Sequence, residues 1–269
     1  EGLPPSSLWT DLERTGHNRQ AKYELMKLMP EDVFDTPKPV KLLKYILQLG
    51  SVNSDDIVLD CFAGSSTTAH AVMQMNAEDG GRRRFIMVQL DEKADPKSDA
   101  AKAGFNTIAE ISRERIRRAG TKIVEESGLA ASQLDVGFRS LKVDTTNMAD
   151  VLWTPDETDQ HTIAGLENSV KSGRTGPDLL FQVLLDWGLE LSVPITVEKV
   201  EGHDVLVVED DALIACFDSE VSPELVRAIA KREPLRAVFR DSGFASDDAR
   251  INAEQIFHEI SPATDVKAI

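Results

Sequence analysis

The chain has 269 residues, 41% of them hydrophobic, enough to bury one large core or two modest ones. No apolar run approaches bilayer length and no basic-then-apolar leader opens the chain, so no membrane role is expected and a cytoplasmic setting is the simplest reading. The formal net charge of −16 argues against phosphate binding by the chain as a whole, but residues 1–144 hold 22 acids and 20 bases while residues 145–269 hold 24 and 10, so the acid excess belongs to the second half.

Residues 1–35 are polar, with Pro4-Pro5 and Gly16, and predict an irregular opening segment with a short helix around 21–29. Pro37-Lys38-Pro39 then opens an apolar-periodic run ending at Gly50, the usual punctuation of a helix. A strand at 57–61, a helix at 66–75, a strand at 85–90 and a long helix from 105 to 119 follow. That order predicts a right-handed crossover in a parallel sheet. A further strand is expected at 137–143. Beyond a stretch rich in Asp, Thr, Asn and Gly come a helix (177–187), a hairpin around Glu201-Gly202, strands at 212–217 and 235–240, and helices at 223–232 and 248–260. The chain thus divides into an opening segment (1–35), an α/β unit (36–144), a linker (145–175) and a small α/β tail domain (176–269). The basic clusters Arg82-Arg83-Arg84 and Arg113 to Arg118 read most simply as solvated surface, and a generally acidic surface would produce the same charge asymmetry without any partner.

Chemistry concentrates in the strand-turn-helix Asp60-Cys61-Phe62-Ala63-Gly64-Ser65-Ser66-Thr67-Thr68. A helix N-terminus favours an anion, Ala63 and Gly64 let backbone approach closely, and four hydroxyls are able to bind a carboxylate or to cap the helix. Asp60 would face the same crevice and accept from an ammonium group. The turn lacks the three glycines of a dinucleotide fingerprint and the Gly-Lys of a phosphate loop, so S-adenosylmethionine, with its amino-acid end, fits better than a nucleotide phosphate.

The stretch "VLDCFAGSSTTAHAV" resembles the cofactor motif of amino-group DNA methyltransferases, and "TPKPVKLLKYIL" resembles the motif preceding it when the cofactor half comes last in the chain. "RRRFIMVQLDE" resembles the second-strand motif, and "AGFNTIAEISRERIRRAG" a helix of the modification (Mod) subunits of type III restriction-modification systems. "LLFQVLLDWGLELSVPI", "DALIACFD" and "PLRAVFRDSGFASDDARINAEQIF" resemble the C-terminal region of those subunits. The resemblance implies a partial Rossmann-like α/β methyltransferase sheet with a second small α/β domain. It also implies cofactor contacts from Thr36, Lys38, Pro39, Asp60, Phe62, Ala63, Gly64, Ser65 and Thr67. At the ribose the matching residue is Gln89, with Asp91 two positions later, and the spacing leaves both open. Lys38 as a solvated residue, Phe62 as core and Ser65 to Thr68 as mere helix caps remain the plain alternatives. The family further implies duplex DNA as substrate, a homodimer, and a helicase-nuclease restriction subunit as partner.

Adenine-N6 methylation in this class is expected to need an Asp/Asn/Ser-Pro-Pro-aromatic loop that accepts the amino hydrogens and stacks the flipped base. Pro4-Pro5, between Leu3 and Ser6, is the only Pro-Pro pair and has neither feature. The expectation is therefore a C-terminal Mod segment that holds the cofactor and has no catalytic residue of its own; an assembly module without catalysis is the alternative. Cys61 and Cys216 lack metal-ligand spacing, as do His17, His70, His161, His203 and His258, so neither a metal site nor a disulfide is expected. Asp241-Ser242-Gly243 with Asp247-Asp248 reads as a turn and helix cap rather than a cation loop, and Trp9, Trp153 and Trp187 as packing residues.

Overall fold

The structure is a computed structural model that describes residues 8–128, 134–149 and 169–269. The sequence readings on Pro4-Pro5, Trp153, His161 and most of the linker lie outside the described residues. The chain forms two compact units, residues 1–142 and 143–269, both mixing helix and sheet.

The first unit opens with α1 (Leu12–Thr15), α2 (Asn18–Leu28) and α3 (Val40–Leu49), the last entered through Pro39 and closed by Gly50. Strand β1 (Ile57–Asp60) leads through α4 (Thr67–Asp79) to β2 (Arg84–Met87), which pairs with it in parallel from Ile57 opposite Arg84 to Asp60 opposite Met87. A short α5 (Asp99–Lys102) precedes α6 (Ile108–Ser127), capped by the Thr107 hydroxyl. The buried residues of α6 fall at Ile111, Ser112, Arg115, Ile116, Ala119, Gly120 and Ile123, a single stripe at helical spacing. At Gly120 even a methyl group would come within 3.0 Å of Val136 Cβ, so the glycine lets the following chain lie on the helix.

That packing explains one correction. Residues 137–143 form no strand: Val136 and Phe138 pack on the core around α6, and Val143 is fully exposed. Of the apolar residues within the expected strand only Phe138 packs on this core, Leu141 being exposed like Val143, and no neighbouring strand bonds the segment.

The β1–β2 pair is covered on one side only. Val58 packs with Val40, Leu47, Val72 and Met75 of α3 and α4, and Phe85 and Met87 face the same helical layer. On the other side Ile57, Leu59, Ile86, Val88 and Leu90 are all exposed, Leu90 at 72%.

The second unit is covered on both sides. After α7 (Gly176–Asp186), capped by a reciprocal Thr175–Asp178 box, come β3 (Ile195–Val200), β4 (His203–Val208) and β5 (Leu213–Cys216). Then follow α8 (Pro223–Ala230), β6 (Arg236–Phe239), a 3₁₀ turn (Asp241–Gly243), α9 (Asp247–Ile260) and β7 (Asp265–Ala268). The sheet order is β3-β4-β5-β6-β7, antiparallel for the first two pairings and parallel for the last two. The hairpin turns on Glu201 and Gly202, both at positive φ, as a two-residue hairpin of matching twist requires. Alternate residues of β4 and β5 face opposite layers: Val205, Val207, Ile214 and Cys216 meet α8 and α9, while Leu206, Val208, Leu213 and Ala215 meet α7. Strand β7 was missed in the sequence because Asp265-Val266-Lys267-Ala268 is half polar. Its pairing with β6 puts it at the sheet edge, where exposed polar side chains are tolerated. Among the described residues no helix is long and apolar enough to cross a membrane.

His70, on α4, is buried and its Nδ1 meets no protein partner, while Nε2 lies 3.2 Å from the Gln74 amide nitrogen. Burial, reinforced by the positive charges of Arg115 and Lys122, pushes its pKa down to about 3. The unfolded chain therefore takes up a proton near pH 6.5 that the folded chain refuses. The stabilisation is whole above pH 6.5 and falls as pH drops below it, by at most about 1.4 kcal/mol per pH unit. In urea unfolding between pH 6.5 and 5, His70→Gln is expected to flatten this loss; equal slopes in both proteins would refute the assignment. The uncovered sheet face carries a second expectation. Sedimentation velocity at rising concentration should show self-association that Leu59→Ser combined with Ile86→Ser reduces, and a monomer at every concentration would count against it.

Candidate functional site

Asp60 ends β1, and the chain beyond it stays tied to β2: the Val88 N–H donates to Asp60 O at 2.8 Å and the Ala63 N–H to Val88 O at 3.0 Å. The Asp60 carboxylate then spans the turn. Its Oδ1 accepts from the Phe62 N–H at 3.0 Å and its Oδ2 from the Thr68 hydroxyl at 2.6 Å. Gly64 sits at φ +52°, and a side chain there would meet the Phe34 ring at 3.5 Å. Ser66 adopts φ +56°, uncommon for a non-glycine residue and held by the Ser66 N–H donating to Ala63 O at 2.7 Å.

Ser66 occupies the N-cap position of α4 yet makes no side-chain cap, and its buried Oγ has no protein partner. A left-handed residue lacks the extended backbone from which an N-cap hydroxyl reaches the next turn's amides, so capping does not account for the hydroxyls of this turn. The Thr68 hydroxyl is likewise committed to Asp60.

Three side chains brace the turn from outside. The Gly64 N–H donates to Gln89 Oε1 at 2.8 Å, just beyond β2. From α6, the Ser112 hydroxyl donates to the Gly64 carbonyl, and Arg115 Nη1 donates to Ser65 Oγ at 2.7 Å and to Thr67 Oγ1 at 2.6 Å. Ser112 and Arg115 stand three residues apart, so one face of the helix presents both.

Arg115 is only 1% exposed, which corrects the reading of its cluster as solvated surface. The stripe of α6 that faces inward includes position 115, while Arg117 stays exposed and pairs with Glu114. Arg83 is buried too, its guanidinium bonded to Asp79 at 2.8 and 2.9 Å. Among the described residues Arg115 has no carboxylate at hydrogen-bond distance. Burial lowers its pKa to about 10, and only the more distant charge of Glu24 opposes that shift. It remains protonated at neutral pH.

The residues expected from the sequence fall into two groups. Asp60, Ala63, Gly64, Ser65, Thr67 and Gln89 are joined in this one hydrogen-bonded turn. Phe62 belongs with them in position but is 85% exposed, which rules out the core reading for it. Thr36 and Lys38 are exposed, and Pro39 is buried at the start of α3; the Phe34 ring lies where a side chain on Gly64 would meet it, which puts this upstream segment near the turn. Asp91 is exposed, its carboxylate 3.9 Å from Lys142 Nζ. Sequence reasoning missed Phe34, Ser112 and Arg115. An arginine within the apolar periodicity of Ile111, Ile116 and Ala119 was the available signal.

Chemically, the turn offers a carboxylate at one end and hydroxyls with the free amides of a helix start at the other. That polarity suits a zwitterionic amino-acid group. Elsewhere the candidates resolve into structure: Asp241 and Asp247 pair with Arg250, the Ser246 hydroxyl caps α9, Trp9 packs edge-on against Tyr45, and Trp187 joins the core under α7. Both cysteines are free.

The family model for DNA methylases matches residues 1–98. The Mod subunit of the type III restriction-modification enzyme StyLTI of Salmonella typhimurium is 43% identical over 164 residues, 61% of this chain and 24% of the relative. The EcoP15I Mod subunit of Escherichia coli is 38% identical over 149 residues, 52% of this chain and 23% of the relative. The type II methyltransferase M.KpnI of Klebsiella pneumoniae is 34% identical over 110 residues, 41% of this chain and 26% of the relative. The chain spans about a quarter of the length of the curated relatives it matches. Its first 98 residues carry the DNA methylase match, and between 50% and 61% of the chain is Mod-like, similar to the modification subunits of type III restriction-modification enzymes.

Proposed function

We propose that the chain is the methyl-donor-binding part of an S-adenosylmethionine-dependent DNA adenine-N6 methyltransferase, the modification subunit of a restriction-modification system. The observation that carries this reading is the polarity of the turn, with Asp60 at one end and the Ser65 and Thr67 hydroxyls at the other. The buried, unpartnered Ser66 Oγ and the positive φ of Gly64, which shapes the turn, are consistent with a ligand seated against this loop. The bound donor contributes an electrophilic methyl group on sulfonium.

In this reading Asp60 accepts from the donor's ammonium, while Ser65, Thr67 and the first amides of α4 receive its carboxylate. The exposed Phe62 ring and the backbone of Ala63 and Gly64 would contribute further contacts to the donor. Gln89 would bind the ribose: its Oε1 is held by the Gly64 N–H, which leaves its amide N–H groups to donate. Asp91, exposed and turned toward Lys142, is the weaker candidate. Thr36, Lys38 and Pro39 would close the site from upstream, where the Phe34 ring lies near Gly64. The 269 residues contain no Asp/Asn/Ser-Pro-Pro-aromatic loop, so base presentation belongs to another segment and the chain by itself binds the donor without transferring the methyl group. Duplex DNA, a second copy and a helicase-nuclease subunit are the partners this role implies. The open apolar face of β1–β2 supports association of that kind.

Calorimetry with S-adenosylmethionine is expected to show one site per chain. Asp60→Ala should weaken it about tenfold or more, as expected for losing a hydrogen bond to a charged group. Failure of the intact chain to bind would overturn the reading of the turn, and adenine methylation of duplex DNA by the purified chain alone would overturn the division of labour.

A further inference from the structure

We propose that Arg115 is a positioning residue that tunes the turn for a carboxylate, acting through the Ser65 and Thr67 hydroxyls rather than by touching the ligand. The inference rests on the donor-binding reading above and adds what makes one end of the turn selective for a carboxylate.

The geometry is specific. A single nitrogen, Nη1, directs its two protons to two hydroxyl oxygens two residues apart, at 2.7 and 2.6 Å. Each hydroxyl therefore accepts from the guanidinium, and its own proton is left to donate elsewhere. Among the described residues neither Ser65 nor Thr67 side chain has a further protein partner, and Ser66 Oγ between them is buried and also unpartnered. The turn thus holds hydroxyls whose acceptor side faces a cation and whose donor side is unspent.

The electrostatics fit the same role. A guanidinium with 1% exposure is normally retained beside a carboxylate, because an isolated buried charge is costly. Here its direct partners are neutral hydroxyls, and its Nε is buried without any partner. The cation is held behind the loop with its charge uncompensated at short range. Ser65 and Thr67 are themselves only 3% and 5% exposed, and a ligand carboxylate accepting from their hydroxyls would compensate the charge in a buried medium where charge-assisted hydrogen bonds are strong. Asp60 is engaged at the opposite end by Phe62 and Thr68, so the two ends keep opposite polarity and set the direction in which a zwitterion lies. Ser112, one turn earlier on α6, fixes the Gly64 carbonyl and holds the loop on the same helix face.

The test compares S-adenosylmethionine with its decarboxylated analogue by calorimetry on the intact chain, Arg115→Met and Arg115→Lys. The intact chain is expected to prefer the carboxylated ligand. Arg115→Met should lose about tenfold to a hundredfold in affinity for it, the range for a hydrogen bond to a charged group, while affinity for the decarboxylated ligand changes little. Arg115→Lys should recover part of the preference because it restores the charge. Equal loss for both ligands in Arg115→Met would make the residue merely structural, and an undiminished preference would make it irrelevant; either overturns the proposal. If circular dichroism shows Arg115→Met to be unfolded, Ser65→Ala decides: removing one relay hydroxyl must narrow the preference, and an unchanged preference overturns the proposal. An intact chain that binds neither ligand refutes the donor reading itself, whereas one that binds both equally refutes only the inference about Arg115.

Discussion

A buried guanidinium needs partners for its protons, and at Arg115 the partners found by Nη1 organise the turn that follows β1, although Nε is left without one. Its two Nη1 protons find Ser65 and Thr67, and with the bond from Ser112 to Gly64 they tie α6 to the loop and to the first turn of α4. An isolated charge in a protein interior costs several kcal/mol, so a loop that moved away from Arg115 would leave that cost unrelieved. The conformation of residues 62–67, including the left-handed backbone of Ser66, is in this sense imposed from the helix behind it. A loop held so firmly is suited to recognition, since little ordering remains to be done when a ligand arrives.

The two sheets show how the same building blocks serve different ends. In the second unit every residue of β5 is buried, because helices cover both faces and alternate side chains have a layer to enter on either side. In the first unit the helices lie on one side of β1 and β2 only, and Ile57, Leu59, Ile86, Val88 and Leu90 stand exposed on the other. Strands this apolar on both faces are characteristic of a sheet enclosed by helices. Placing the turn at the carboxyl end of such a parallel pair is the usual arrangement for a ligand crevice in α/β proteins, where strand ends and helix starts converge.

Much of this was readable along the chain. Pro39 and Gly50 bracket α3, Ser222 and Ser246 cap α8 and α9, and Glu201-Gly202 turns the hairpin, each through a bond or a dihedral within a few residues. The polarity of the turn from Asp60 to Thr68 was legible for the same reason, since the groups that define it lie within nine residues of sequence. The strand expected at 137–143 failed because within it only Phe138 packs on the core around α6, while Leu141 and Val143 are exposed and no neighbouring strand bonds the segment.

The sequence by itself determined most of the elements, their order and the motif at the crevice, though not β7 or the fate of 137–143, because helix periodicity, caps and turn dihedrals are properties of neighbours in the chain. Only the tertiary structure decided that Arg115 is buried while Arg117 beside it is solvated, that Phe62 projects outward and that Ser66 caps nothing. Those outcomes depend on what packs opposite each residue, across separations of about fifty residues between α6 and the turn, and no local pattern records what lies on the far side of a packed interface.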